Sequence, residues 1–223
     1  MTAALLRLAV IAFISYIFGA LSTINIASVF VFKRNLRKLG KGNMAISNFR
    51  RIYGEKKAGT LLLIELVKDL IPIIVGGIII MGSADRFKDV EEGFVMSLGH
   101  SFATFCLTYG AVFPVFNRFR GAHGFFPIIL GAFFQSIPMG IVVLGSAVLV
   151  LWRSKYISLA TVVAAVMYAV LAVVLLDYSM SITVCGLTTL LVVIREFTAI
   201  IRVLNDKEEK LSLVKDLSWK FDS

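Results

Sequence analysis

Residues 40–51 read Gly40-Lys41-Gly42-Asn43-Met44-Ala45-Ile46-Ser47-Asn48-Phe49-Arg50-Arg51, a set of residue types suited to holding an anion. Two glycines one residue apart let the backbone turn tightly and present N–H groups. Asn43, Ser47 and Asn48 offer neutral hydrogen bonds, and Lys41, Arg50 and Arg51 offer charge. A second basic, glycine-marked stretch runs Phe113-Pro114-Val115-Phe116-Asn117-Arg118-Phe119-Arg120-Gly121-Ala122-His123-Gly124-Phe125. Each stretch has a plainer reading, because Lys and Arg beside apolar segments fix membrane topology and Gly commonly ends helices. A nucleotide-binding P-loop is disfavoured. Asn35 stands where its first Gly belongs, and no Ser or Thr follows Lys41.

Other chemistries lack support. The two histidines, His100 and His123, are 23 residues apart with no third ligand at a metal-site spacing, so neither a metal nor another cofactor is expected. Cys106 and Cys185 each sit in an apolar run, which gives no disulfide framework.

The elements that must position these loops are membrane spans. The chain has 223 residues, 58% of them hydrophobic and 17% charged, with mean hydropathy +0.88. A water-soluble domain is excluded, and an all-α polytopic bundle of five to seven transmembrane helices is expected. Apolar runs cover residues 5–32, 58–81, 94–116, 125–151 and 157–194. The first is read as a retained span, since it outruns a signal peptide's apolar region without a convincing cleavage site. The last would form a helix of about 57 Å against a hydrocarbon core of about 30 Å. It must break, and Asp177 and Tyr178 mark the place.

Net charge +9 does not call for nucleic acid, because the charges are distributed as a membrane requires. Nine of the 23 Lys and Arg lie in residues 33–57 against one acid, Glu55, whereas residues 83–93 hold Asp85, Asp89, Glu91 and Glu92 against Arg86 and Lys88. The positive-inside rule then puts the amino terminus outside and both basic loops in the cytoplasm. Arg195, Arg202, Lys207 and Lys210 prefer that side too, so an odd number of crossings is expected, with residues 157–194 crossing once or three times. A membrane domain of residues 1–200 is followed by a tail, 201–223. There Leu204, Leu211, Val214, Leu217 and Phe221 recur near the helical period, as in a segment lying on the membrane surface. A small transporter would need charged groups along a midplane path. The spans offer little beyond Glu65, Lys68 and Asp69, which can pair as helix neighbours.

The same residues resemble the PlsY family of bacterial acyl-phosphate:glycerol-3-phosphate acyltransferases. Residues 40–51 are similar to its Gly-Ser-Gly-Asn motif. Lys57-Ala58-Gly59 with Leu66-Val67-Lys68 and Pro72 is similar to its second span, residues 113–124 to its second motif, and Arg195-Glu196 to its carboxy-terminal His-Arg-Glu-Asn. The resemblance covers about residues 10–205, in order. It implies a plasma-membrane enzyme of phospholipid biosynthesis that needs no cofactor. Such an enzyme moves an acyl group from acyl phosphate to glycerol 3-phosphate, making lysophosphatidic acid among membrane lipids.

On that resemblance the phosphate- and substrate-binding set is Lys41, Gly42, Asn43, Ser47, Asn48, Arg51, Arg120, Gly121, Gly124, Arg195 and Glu196, with His123 the candidate acid–base group. The departures are pointed. Lys41 replaces the family's Ser, His123 its Lys, Ala111 the His expected before Phe113, and Ile194 and Phe197 its last His and Asn. A relative that binds glycerol phosphate or a phospholipid headgroup without catalysis is the competing expectation.

Overall fold

The computed structural model of the protein describes residues 2–34, 36–40, 46–82, 92–119 and 121–205, and every regular element among them is helical. In chain order these are α1 (Thr2–Ala20), α2 (Thr23–Ile26, continuing through a π-helical turn at Ala27–Val31), α3 (Ile46–Tyr53), α4 (Glu55–Met81), α5 (Glu92–Val112), α6 (Phe125–Gln135), α7 (Ile137–Ser154), α8 (Ile157–Leu175) and α9 (Ser179–Leu204).

Small residues set how closely these helices approach. A Cβ on Gly19 of α1 would strike the Leu107 carbonyl of α5, and one on Gly110 of α5 would strike the Tyr16 carbonyl of α1. The two backbones therefore touch at reciprocal glycines, the device by which membrane helices pack without help from water. Gly76 of α4 meets Gly99 and Ala103 of α5 in the same way.

The register of such contacts gives the direction of each helix. Arg7 lies against Gly82, Ile11 against Gly76, and the Phe18 and Leu21 carbonyls against Lys68, so α4 runs antiparallel to α1. Gly99 against Ile80 and Leu107 clustered with Ile73 turn α5 back again. Thr104 against Gly131 and Ser97 against Gln135 make α6 antiparallel to α5. Ser97 against Ser181, with Gly124 beside both Thr108 and Val192, makes α9 parallel to α5. Seven runs thus alternate through the bundle. The start of α1 lies at one end, and residues 32–34, 36–40, 46–54, 113–119, 121–124, 155–156 and the close of α9 lie at the other.

Three expectations need correction. Residues 125–151, expected as one span, form an αα-hairpin. Gly140 packs on the backbone of Phe133, seven residues earlier, whereas a continuous helix would carry them about 10 Å apart. The reversal sits at Ser136, whose backbone is extended and whose hydroxyl accepts from Met139 N–H at 3.3 Å, with Pro138 in the first turn of α7. Residues 157–194 break at 176–178, as expected, but form two helices, α8 and α9, each long enough to span, where one crossing or three were expected. These two departures cancel, so the close of α9 still lies at the end of the bundle opposite the start of α1.

The third correction is to residues 5–32, which bend by 50° between α1 and α2. Breaking a helix at membrane depth strands carbonyls and N–H groups, each costing several kcal/mol if unpaired. α4 supplies the partners. Lys68 Nζ donates to Phe18 O at 2.8 Å and Leu21 O at 3.0 Å, and Glu65 Oε2 accepts from Thr23 N at 3.3 Å. Lys68 is itself 3.0 Å from Glu65 Oε1 and 3.0 Å from Asp69 Oδ1, the latter an ion pair outside hydrogen-bond angles. The neighbour pairing expected from sequence is present, and it also caps the break. Among the described residues α7, α8 and α9 are each long and apolar enough to cross a membrane, and the bent first pair passes the same test only when its two helices are taken together. α6, at 11 residues, reaches about 16 Å, half the hydrocarbon core.

Candidate active site

The basic end of the bundle carries two clusters. The first is built on α3. Gly40 turns in the left-handed region, φ +58°, and Asn48, only 2% exposed, lies against it. The Asn48 amide donates to Leu39 O at 3.1 Å and Leu36 O at 3.5 Å. Asn48 is thus the brace that closes the glycine turn. α3 is seated by its aromatic face: Phe49 is fully buried, Phe32 stacks on Tyr53 at 4.2 Å, and Lys57 sits 5.2 Å over the Phe32 ring. That seating places Ser47 and the closing Arg50 and Arg51 of α3, all half-buried, at the bundle end. Lys41, Gly42, Asn43 and Arg120 lie outside the described residues.

The second cluster joins the loop after α5 to α9. Past Pro114 the chain makes a tight turn through Arg118 and Phe119, φ +52° and +59°, and returns so that Ala122 N–H donates to Ala111 O at 2.8 Å. Only a glycine fits at 121, where a Cβ would strike the Ala111 and Val112 carbonyls. Gly124, φ +77°, then starts α6. Two clamps fix this returning loop to α9. Arg195 donates to Gly121 O at 3.3 Å, and His123 Nδ1 lies 2.9 Å from Glu196 Oε2. The Glu196 side chain is 0% exposed and the His123 side chain 37% exposed, so the ring runs from the buried carboxylate toward open space. Glu196 Oε1 is buried without a hydrogen-bond partner among the described residues.

Residues expected to act alike therefore separate. Asn48, Gly121 and Gly124 shape backbone, and Arg195 fastens a loop. Glu196, expected in the phosphate- and substrate-binding set, is a buried carboxylate beside His123. Ile194 and Phe197 are 63% and 60% exposed, so the apolar replacements stand on open surface. No group of three or more metal-binding side chains occurs among the described residues. Sequence reasoning named His123 and Glu196 but not their pairing. The available signal was a changed residue, His123, at a loop tip at the same membrane depth as a retained acid.

A multi-pass helical bundle gathering cations, a braced glycine turn and a carboxylate–imidazole pair at one end is a membrane protein equipped to handle an anionic substrate at the bilayer surface. The chain belongs to the glycerol-3-phosphate acyltransferase family, whose sequence profile matches residues 9–206. It is 26% identical over 196 residues to the glycerol-3-phosphate acyltransferase of Hydrogenovibrio crunogenus, covering 87% of each chain. It is 29% identical over 181 residues to glycerol-3-phosphate acyltransferase 2 of Thermotoga maritima, covering 81% of this chain and 85% of that one. Its fold is similar to the integral membrane protein PlsY crystallised in its glycerol 3-phosphate form, with TM-score 0.71 over 95% of this chain and 99% of that one, at 18% identity.

Proposed function

We propose that this protein is an integral membrane acyltransferase of phospholipid biosynthesis. It transfers an acyl group from acyl phosphate to the 1-hydroxyl of glycerol 3-phosphate and releases lysophosphatidic acid into the membrane. One observation carries the reading beyond family membership: the α3 cluster, the loop at 113–124 and the close of α9 lie at the same end of the bundle, which also collects Lys56, Lys57, Arg153 and Lys155. A reaction between two phosphate-bearing substrates needs clustered cations and N–H groups, and an acyl donor needs lipid access at the same depth.

Acyl phosphate already contains a good leaving group, so holding the hydroxyl near the carbonyl carbon while neutralising phosphate charge supplies much of the acceleration. Arg51, with Lys41 and Arg120, is assigned to the phosphates. The basic end faces the cytoplasm of a bacterial plasma membrane, with the amino terminus outside. The replacements at Lys41, Ala111, Ile194 and Phe197 favour a second reading, a non-catalytic relative that binds glycerol phosphate or a phospholipid headgroup. Purified protein given acyl phosphate and labelled glycerol 3-phosphate separates them. Labelled lysophosphatidic acid is expected. Binding of glycerol 3-phosphate without turnover selects the second reading, and turnover with only a thioester donor overturns the choice of acyl phosphate.

A further inference from the structure

The contact between His123 and Glu196 has the geometry of a working dyad. A carboxylate can only accept hydrogen bonds, so the 2.9 Å contact puts an imidazole hydrogen on Nδ1, and the neutral ring then carries its lone pair on Nε2. Glu196 is fully buried on a rigid helix, and the neighbouring clamp from Arg195 to Gly121 O holds the loop that carries His123. The ring therefore has a fixed orientation at one edge and an open edge opposite. A carboxylate retained only for packing would have both oxygens paired. Among the described residues Oε1 has no partner, a cost that a functional site tolerates and a structural one avoids.

We propose that His123 is the catalytic base of the acyl transfer and Glu196 its positioning residue, an inference that rests on the acyltransferase reading above. The acceptor hydroxyl oxygen adds to the carbonyl carbon of the acyl phosphate as its proton passes to His123 Nε2. The tetrahedral centre then collapses, the bond between the acyl carbon and the phosphate oxygen breaks, and phosphate leaves with the bonding pair. His123 returns the proton to the released phosphate. One ester forms for one acyl phosphate consumed, and nothing is oxidised or reduced. A lysine at 123 would keep a charge against Glu196 but has no lone pair while protonated. The dyad is thus a property of this chain's own residue.

The test is steady-state kinetics on the full chain in lipid nanodiscs. His123→Ala is expected to lower kcat at least about tenfold while KM for glycerol 3-phosphate stays within about twofold, and added imidazole should restore part of the rate. His123→Lys should be as slow despite retaining a partner for Glu196. Glu196→Gln should lower kcat with KM held, because the amide no longer fixes the tautomer. His123→Ala or His123→Lys turning over at the wild-type kcat overturns the proposal. So does a loss that appears in KM and ignores imidazole, which would make His123 a binding group. If His123→Ala does not fold, His123→Lys, which keeps the contact with α9, decides the question. Failure of wild type to transfer acyl groups removes the acyltransferase reading and the dyad together. Wild-type transfer indifferent to His123 removes only the dyad.

Discussion

Asn48 and Arg51 stand three residues apart on one short helix, yet packing gives them opposite tasks. Asn48 spends its amide on the Leu36 and Leu39 carbonyls, whereas Arg51 closes the basic turn of α3. Asn48→Ala should therefore act on stability: two carbonyls lose their donor, at a cost of about 1–3 kcal/mol, read as a lower thermal midpoint in detergent. Arg51→Ala should leave that midpoint nearly unchanged and weaken glycerol 3-phosphate binding by about 1.5–3 kcal/mol, the size of a charge-assisted hydrogen bond. Calorimetric titration of both variants separates the roles. Equal affinity in Arg51→Ala and wild type would reduce Arg51 to a topology charge. Composition flags both residues as polar groups in a basic loop. It cannot say which of them the fold has already used, because that depends on where residues 36–40 return against α3.

Among the elements, legibility in the sequence follows length. Residues 157–194 are too long for one crossing, so their break could be read in advance and placed correctly at Asp177 and Tyr178. Residues 125–151 are not. Twenty-seven residues of helix reach about 40 Å, which a tilted single span accommodates, so length raises no alarm. Ser136 followed by Pro138 was the only local sign of a new helix start. The break after Ala20 was hidden for another reason: its partners, Glu65 and Lys68, are more than forty residues away in sequence. Lys68 should be costly to remove. Lys68→Met leaves Glu65 and Asp69 without their cation and the α1 carbonyls uncapped, and about 3–5 kcal/mol of stability should go with it. Adding Glu65→Gln and Asp69→Asn to that variant removes the stranded charges. If the triple variant is no more stable than Lys68→Met alone, carbonyl capping rather than charge pairing accounts for the loss.

At the scale of the whole molecule, the helix directions convert a charge pattern into a testable orientation. The described parts of both basic loops named from sequence sit at one end of the bundle, together with the Arg153–Lys155 corner between α7 and α8, which the expected single span had concealed. The seven alternating runs put the start of α1 and the close of α9 at opposite ends of the bundle. Single cysteines report this directly, since the native Cys106 and Cys185 are both buried and should stay silent to a membrane-impermeant maleimide. Lys56→Cys and Leu204→Cys, both at exposed positions, should label only when the cytoplasmic face is opened, and Asp89→Cys should label in intact cells. The expected pattern follows from the positive-inside rule acting on an end that gathers charge from three separate connections, more than any one loop provides. Labelling of Leu204→Cys in intact cells while Lys56→Cys stays protected would mean that α9 does not close beside α3. The residues assigned to phosphate and to proton transfer could not then share a site. Labelling of both in intact cells would invert the whole bundle and place the chemistry outside, away from any cytoplasmic supply of acyl phosphate.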